Sequence, residues 1–432
     1  MQNNCTPNLK ICQLIIEKIR ELLNSKKFLD AHRLPNRFVR TRKLSMLNVI
    51  LYLFYSSKQA MHLNIHGIRI DLPEINFPKV CKQAVSKARQ GILPSLFETL
   101  FNVSIDCFYK NIGELKLWRN QYRIFAIDGS KLSLPNSKSN FDNYGEMFSH
   151  QNPSRRWTMA LCSTIYDVCN DYIVHGLLRR YLGSERSAVL DHCDVLNSLK
   201  IFDNALLILD RGYYSENMFR YFVKNDRLCL MRLKENYKLA KNCDGDTVQT
   251  LKGDSKNGTE DIPIRVIRVP LDGGSFEYLA TNIYDTLTAD DFKELYFLRW
   301  PIEQKYEELK NKCLLEEFHG ATSTSVEQEF YLTLLLSNLA SLIKADADTE
   351  ISKAASPGNK YRYQANRAFI IGSIKKILPK ILTGLDSFSL MVETYEQACT
   401  IKSQIQPGRK CPRNHRAKYR ERKHFNNRKR VI

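Results

Sequence analysis

The stretch LYFLRWPIEQKYEELKNKCLLEEFHG, Leu295 to Gly320, holds four chemically capable side chains at helical spacing. At about 100° per residue, Tyr296, Arg299, Glu303 and Lys310 fall at roughly 0°, 300°, 340° and 320°, one narrow stripe. Leu295, Leu298, Ile302, Tyr306 and Leu309 gather on another side, suited to a core. A carboxylate flanked by a guanidinium, an ammonium and a phenol can hold a cation and grip a phosphate together. Pro301 complicates the wheel, because it kinks a helix or else occupies a first turn. If the helix restarts there, Glu303 and Lys310 keep their phase, while Tyr296 and Arg299 are set by the break.

Two segments upstream share a second device. Ile124 to Ile127 is a continuous apolar run, the mark of a strand buried on both faces, and Asp128-Gly129-Ser130 ends it. Ala205 to Leu209 repeats the pattern and ends in Asp210-Arg211-Gly212-Tyr213-Tyr214-Ser215. An acid where a buried strand emerges is costly unless hydrated, paired or bound to a cation. In open α/β sheets, ligands bind at the carboxyl ends of strands, and here two such ends each present an aspartate. The fold class expected is α/β.

Around these boxes, Thr158 to Tyr166 and Asp171 to Leu178 read as strands, Ser184 to Leu199 and Glu216 to Lys224 as helices, and Leu228 to Leu233 as a further strand. Residues 235–285 read as an inserted β subdomain. In it, Ile262 to Val269 and Phe276 to Ile283 form a hairpin about Asp272-Gly273-Gly274. Thr288 and Asp291 make a capping box for the next helix. Residues 1–117 read as a helical N-terminal region, with helices at Leu9 to Asn24, Leu44 to Tyr55 and Leu93 to Phe101. Within it, KVCKQAVSKARQ, Lys79 to Gln90, is a basic helix that could lie against DNA phosphates. The central domain spans 118–345. Residues 346–406 form a helical C-terminal region that could make a dimer, and 407–432 a basic disordered tail.

The 432 residues are 43% apolar, enough for a full core, and carry a formal net charge of +19. That charge favours a polyanionic partner, nucleic acid first. From Arg409 to Arg430 there are eleven Lys or Arg against Glu421 alone. The twelve cysteines are scattered singly with no C-x-x-C, which argues against both a disulfide framework and a zinc site. The polar start MQNNCTPNLK and the lack of a long apolar run point to a cytoplasmic protein with no membrane span.

Asp128, Asp210 and Glu303 are hard oxygen ligands suited to Mg²⁺ or Mn²⁺. Three carboxylates can hold two such ions about 4 Å apart across a phosphodiester. No G-x-S-x-G elbow and no Walker A loop is present, and His150, His175, His192 and His319 read as structural or surface residues.

The spacing Tyr296-x2-Arg299-x3-Glu303-x6-Lys310 resembles the Y-R-E-K signature of DDE transposases from bacterial insertion sequences, the group called IS-four. IDGS at Ile127 to Ser130 and DRGYYS at Asp210 to Ser215 resemble that family's two aspartate regions, and Arg232-Leu233-Lys234 its R-x-K. The resemblance implies an RNase H-like catalytic domain with a β insertion before the glutamate, and metal-dependent cut-and-paste transposition with Mg²⁺ (or Mn²⁺). By position, Asp128, Asp210 and Glu303 would bind two ions. Tyr296, Arg299 and Lys310 would hold a DNA phosphate, with Arg232, Lys234 and Trp300 as further DNA contacts. Phe276 and Tyr278 are weaker candidates for stacking on a base. The partners implied are double-stranded DNA (terminal inverted repeats and target) and a second copy of the chain in a homodimer. The alternatives are an RNase H-like nuclease without strand transfer, and a domesticated DNA-binding repressor.

Overall fold

The computed structural model describes residues 6–405 apart from 41, 149–155, 255–257, 272–273, 285–286, 357, 359 and 385–386. His150, the hairpin turn at 272–273 and the basic tail therefore lie outside the described residues. The chain forms two compact units, one of residues 114–132 and 160–308, the other of 1–113, 133–159 and 309–432. Residues 133–159 and everything beyond 308 group with the helices in this division. Among the described residues no helix is long and apolar enough to cross a membrane.

The first unit is built on a mixed sheet. Its strands are β1 (Arg123–Ser133), β2 (Arg156–Asp167), β3 (Tyr172–Arg180), β4 (Ala205–Leu209), β5 (Leu228–Leu233), β6 (Asp246–Leu251), β7 (Ile262–Pro270) and β8 (Phe276–Thr281). β1, β4 and β5 are parallel neighbours, and β2 pairs with β3 antiparallel. β4 is buried at all five positions, as expected of a central strand whose residues are apolar on both faces. Ile124, Leu206, Ile208, Leu230, Ile267 and Leu279 make one core with Phe292 and Leu295.

The segment expected as an inserted β subdomain does hold the hairpin, β7 pairing with β8. Its strands do not close on themselves. β8 pairs antiparallel with β5, so β8, β7 and β6 extend the same sheet. The open edge of β5 explains this, since an unpaired strand edge is a template for another strand.

The four helices that matter here are α1 (Glu185–Ser198), α2 (Glu216–Lys224), α3 (Ala289–Phe297) and α4 (Trp300–Asn311). Ser184 and Ser215 cap α1 and α2, each accepting a backbone N–H at 3.2 Å. Thr288 and Asp291 form the expected reciprocal box at α3. α3 stops at Phe297 and α4 restarts at Trp300, which places Pro301 in a first turn, where a missing N–H costs nothing.

The second unit is helical. Its centre is Ser323–Lys353, whose Leu334, Leu335, Leu336, Leu339, Leu342 and Ile343 are buried on all sides, the pattern of a helix sunk in a core. Pro7–Asn24, Ser95–Asn111, Arg367–Leu382 and Ser387–Thr400 pack around it. Asp346 in that helix accepts from Leu9 N at 2.9 Å and Asn8 Nδ2 at 2.8 Å, which satisfies the start of Pro7–Asn24, a helix that lacks its own side-chain cap. The basic stretch forms Lys82–Arg89, with Lys82 and Lys87 exposed. Arg89 turns inward instead, to Gln328 at 3.0 Å, Glu329 at 3.1 Å and the Ser325 carbonyl at 3.2 Å. That arginine belongs to the core and is not a phosphate contact.

Candidate active site

Asp128 does not end its strand; β1 runs on to Ser133. What ends at this point is parallel pairing, since the last partners of β1 and β4 are Ile127 and Leu209. Asp128 and Asp210 are the next residues on adjacent parallel strands, and the backbone register alone sets them side by side. Asp128 is half-buried and accepts from Gly129 N at 2.9 Å.

α3 and α4 bring the signature residues. The Tyr296 hydroxyl donates to Asp210 Oδ1 at 3.0 Å, and Arg299 Nη2 donates to Glu303 Oε1 at 2.7 Å. The break at residue 298 thus gives Tyr296 and Arg299 separate tasks. Burial pushes the Tyr296 phenol upward, and Asp210 adds to it.

Asp128 carries the strongest electrostatic signal. Burial pushes its carboxyl up to about 7, with the charges of Glu303 and Asp210 adding and the Gly129 N–H and Arg299 opposing. The three acids of the motifs therefore act on one spot. As they stand, no three Asp, Glu, His or Cys among the described residues form a closed ligand set, and Glu303 is taken by Arg299. The donor set still fits a hard divalent cation: three oxygen acids with an excess of negative charge in a partly desolvated place, one balanced for now by a guanidinium.

Lys310 lies in the last turn of α4, two turns beyond Glu303. Arg232 pairs with Glu277 at 2.9 Å, while Lys234 is exposed. With Arg211, Phe276, Glu277 and Tyr278 these two line a cavity of about 310 Å³. Phe276 lies under the Arg268 guanidinium at 4.3 Å, and Trp300 is 42% exposed. His175 and His192 are structural: their Nδ1 atoms lie 3.0 Å apart, His192 Nε2 is 2.9 Å from Ser163 Oγ, and burial pulls His175 down to about 4.

Three residues escaped the sequence reading. Tyr306, one turn after Glu303, donates its hydroxyl to the Asp128 carbonyl at 2.8 Å and accepts from Thr164 Oγ1 at 3.0 Å. It ties the glutamate helix to the first aspartate strand. On a helical wheel it reads only as a core aromatic. Glu185 and Tyr213 lie beside the aspartates as well. Tyr306→Phe leaves the Thr164 hydroxyl without its partner and removes a donor from the Asp128 carbonyl, so we expect a loss of about 1–3 kcal/mol in urea unfolding. A change below about 0.5 kcal/mol would show that the tie carries no weight.

Residues 119–339, just over half of the chain, match the family described as Transposase DDE domain. The chain belongs to the DDE transposases. Enzymes of this family act in DNA transposition, by strand cleavage and strand transfer. The solved piggyBac transposase synaptic complex with hairpin DNA is similar to this transposase at a TM-score of 0.46 and 10% identity, covering 94% of this chain and 87% of that one. No curated protein matches the sequence.

Proposed function

We propose that this transposase moves an element of the insertion-sequence kind by cut-and-paste, in the manner of the IS-four group, with Asp128, Asp210 and Glu303 as its catalytic acids. The reading rests on an RNase H-like core and is supported chiefly by the β1–β4 register, which makes the two aspartates neighbours, with Glu303's charge bearing on Asp128. Asp128, Asp210 and Glu303 would hold Mg²⁺ or Mn²⁺, one ion or two, which when bound would polarise the phosphodiester and lower the pKa of water.

The remaining tasks belong to the chain itself. Tyr296 orients Asp210. Arg299 neutralises Glu303 until the cation arrives and is then free for a DNA phosphate, alongside Lys310. Lys234, and Arg232 once released from Glu277, face the same polyanion, and Trp300 offers a stacking surface for a base. In the helical unit, Arg37, Arg40, Arg42, Lys43 and Lys87 line a cavity of about 740 Å³, which suits duplex DNA backbone. The partners are terminal inverted repeats and target DNA, with a homodimer in the joined-end complex.

The test is incubation of the protein with the DNA flanking its own gene and Mg²⁺, mapping cut ends and then offering a pre-cleaved end to a plasmid. Cleavage and joining support the reading. Cleavage with no joining favours a nuclease, and binding alone a repressor.

A proton is linked to the ion. The Asp128 carboxyl is raised above its unfolded value of about 3.9, so it favours folding fully below that value, and the effect fades as pH rises through about 7. A cation reverses the preference by favouring the carboxylate. Mn²⁺ binding should therefore tighten from pH 6 to 8 and release protons at pH 6.5, read by calorimetry in buffers of different ionisation enthalpy. Asp128→Asn should abolish the proton release, and a wild-type chain that releases none would refute the link.

A further inference from the structure

Gly129, next to Asp128, has no side chain, and something stands where one would go. A Cβ at that position would lie 3.1 Å from Glu185 Cδ, 3.2 Å from its Oε1 and 3.2 Å from Leu161 Cδ1. The carboxyl of Glu185, first residue of α1, thus sits over the backbone beside the first aspartate. The helix turn that carries it is held from two directions. Ser184 caps the turn, and Arg186 donates to the carbonyls of Gly212 at 3.2 Å and Tyr214 at 2.9 Å, in the loop that follows Asp210. The first turn of α1 is thereby fastened to the loop of the second aspartate. Glu185 is half-buried and has no hydrogen bond or ion pair among the described residues.

Tyr213 supplies an independent sign that something binds here. It is 1% exposed, and its hydroxyl has no hydrogen-bond partner among the described residues. The charges of Asp128, Glu185 and Asp210 all bear on that hydroxyl, with Arg299 opposing. A buried hydroxyl without a partner is costly, and native proteins seldom leave one. An acid in a helix's first turn is ordinary, since it meets the positive end of the dipole. That explains Glu185's residue type, and the packing of Leu161 and Glu185 explains the bare Gly129; neither explains the unpaired phenol of Tyr213. A hydrated divalent cation accounts for it, with the Glu185 carboxyl set over Gly129 among the ligands and the phenol bonding to one of the ion's waters.

We propose that Glu185 is a fourth carboxylate ligand of the divalent-cation site, and that the Tyr213 hydroxyl hydrogen-bonds to a water on that ion. The inference rests on the reading above, in which Asp128, Asp210 and Glu303 hold the cation. It is tested by titrating the full-length chain with Mn²⁺ and following free Mn²⁺ by electron paramagnetic resonance, with no DNA present. Wild type binds and Asp128→Asn loses most of the binding. Glu185→Gln weakens it by about ten- to a hundredfold, and Tyr213→Phe by a few-fold.

Wild-type affinity in Glu185→Gln, with binding lost in Asp128→Asn, overturns the fourth ligand and leaves the three-acid reading intact. No Mn²⁺ binding by wild type, or no loss in Asp128→Asn, overturns that reading and this inference with it. Melting in the absence of ion shows whether Glu185→Gln is folded. If it is not, Glu185→Asp replaces it, keeping the charge and drawing the carboxyl back by one methylene. Weakened binding in that variant supports the ligand role, and unchanged binding overturns it.

Discussion

Replacing Asp210 by Ala should cut strand cleavage on the order of 10³-fold or more, about 4 kcal/mol of barrier, while binding to transposon ends persists. Asp210 follows directly from the pairing of Ile127 with Leu209, so its removal takes one of two adjoining acids. Its side chain takes one hydrogen bond shown among the described residues, from the Tyr296 hydroxyl at 3.0 Å. The variant should therefore fold, and its exposed basic residues are unchanged. Asp210→Asn, which keeps an acceptor for Tyr296, should be as inactive as the alanine variant. The readout is cleavage of a labelled duplex in Mg²⁺ beside a gel shift in EDTA. Cleavage within tenfold of wild type would remove Asp210 from the site.

The largest effect on stability should come from Glu329→Gln, roughly 3–5 kcal/mol. Glu329 is 7% exposed and accepts from Lys58 Nζ and Arg89 Nη1, both at 3.1 Å, and from His319 N at 3.0 Å. Neutralising it leaves two cations in a core with no counter-charge. The melting temperature should fall by about 3–6 °C. Burial acts to raise this carboxyl, yet Lys58, His319 and Arg89 outweigh it and hold the group well below the ordinary range. A depressed acid favours folding above its unfolded pKa of about 4.3, and that contribution is lost as pH falls through the folded value. Wild type should thus lose stability below about pH 4.5 more steeply than the variant. Equal slopes, or a shift under 1 kcal/mol, would mean the network is not what holds the helices.

Much of this was legible in the sequence because it depends on local rules. A buried apolar run followed by an aspartate reads the same in any protein, and it occurs twice here, although at Asp128 the strand itself continues to Ser133. The caps at Ser184, Thr288 and Asp291 and the restart at Pro301 follow from backbone chemistry over three or four residues. Features that depend on distant partners were not legible. Arg89 reads as one more charge on a basic helix until Glu329, 240 residues on, is seen to take it inside. Tyr306 reads as core packing, because nothing local says that its hydroxyl meets Asp128. Glu185 resembles any acid that opens a helix, and only the placing of its carboxyl over Gly129, beside Asp128, sets it apart. The two hairpin strands at 262–270 and 276–281 were recognisable, whereas Asp246–Leu251, in a polar stretch, was not, and the joining of all three to the main sheet depends on a free edge at β5 that no short window contains.

The way the chain alternates between its two units has a practical result. It crosses from one to the other near residues 114, 133, 160 and 309, so each unit is stitched from separate lengths of polypeptide. A stop codon or protease nick placed between those crossings removes part of both, and neither can be trimmed off or shuffled into another protein like a bead from a string. Shortened copies of the gene should yield insoluble fragments, with no freestanding DNA-binding half among them.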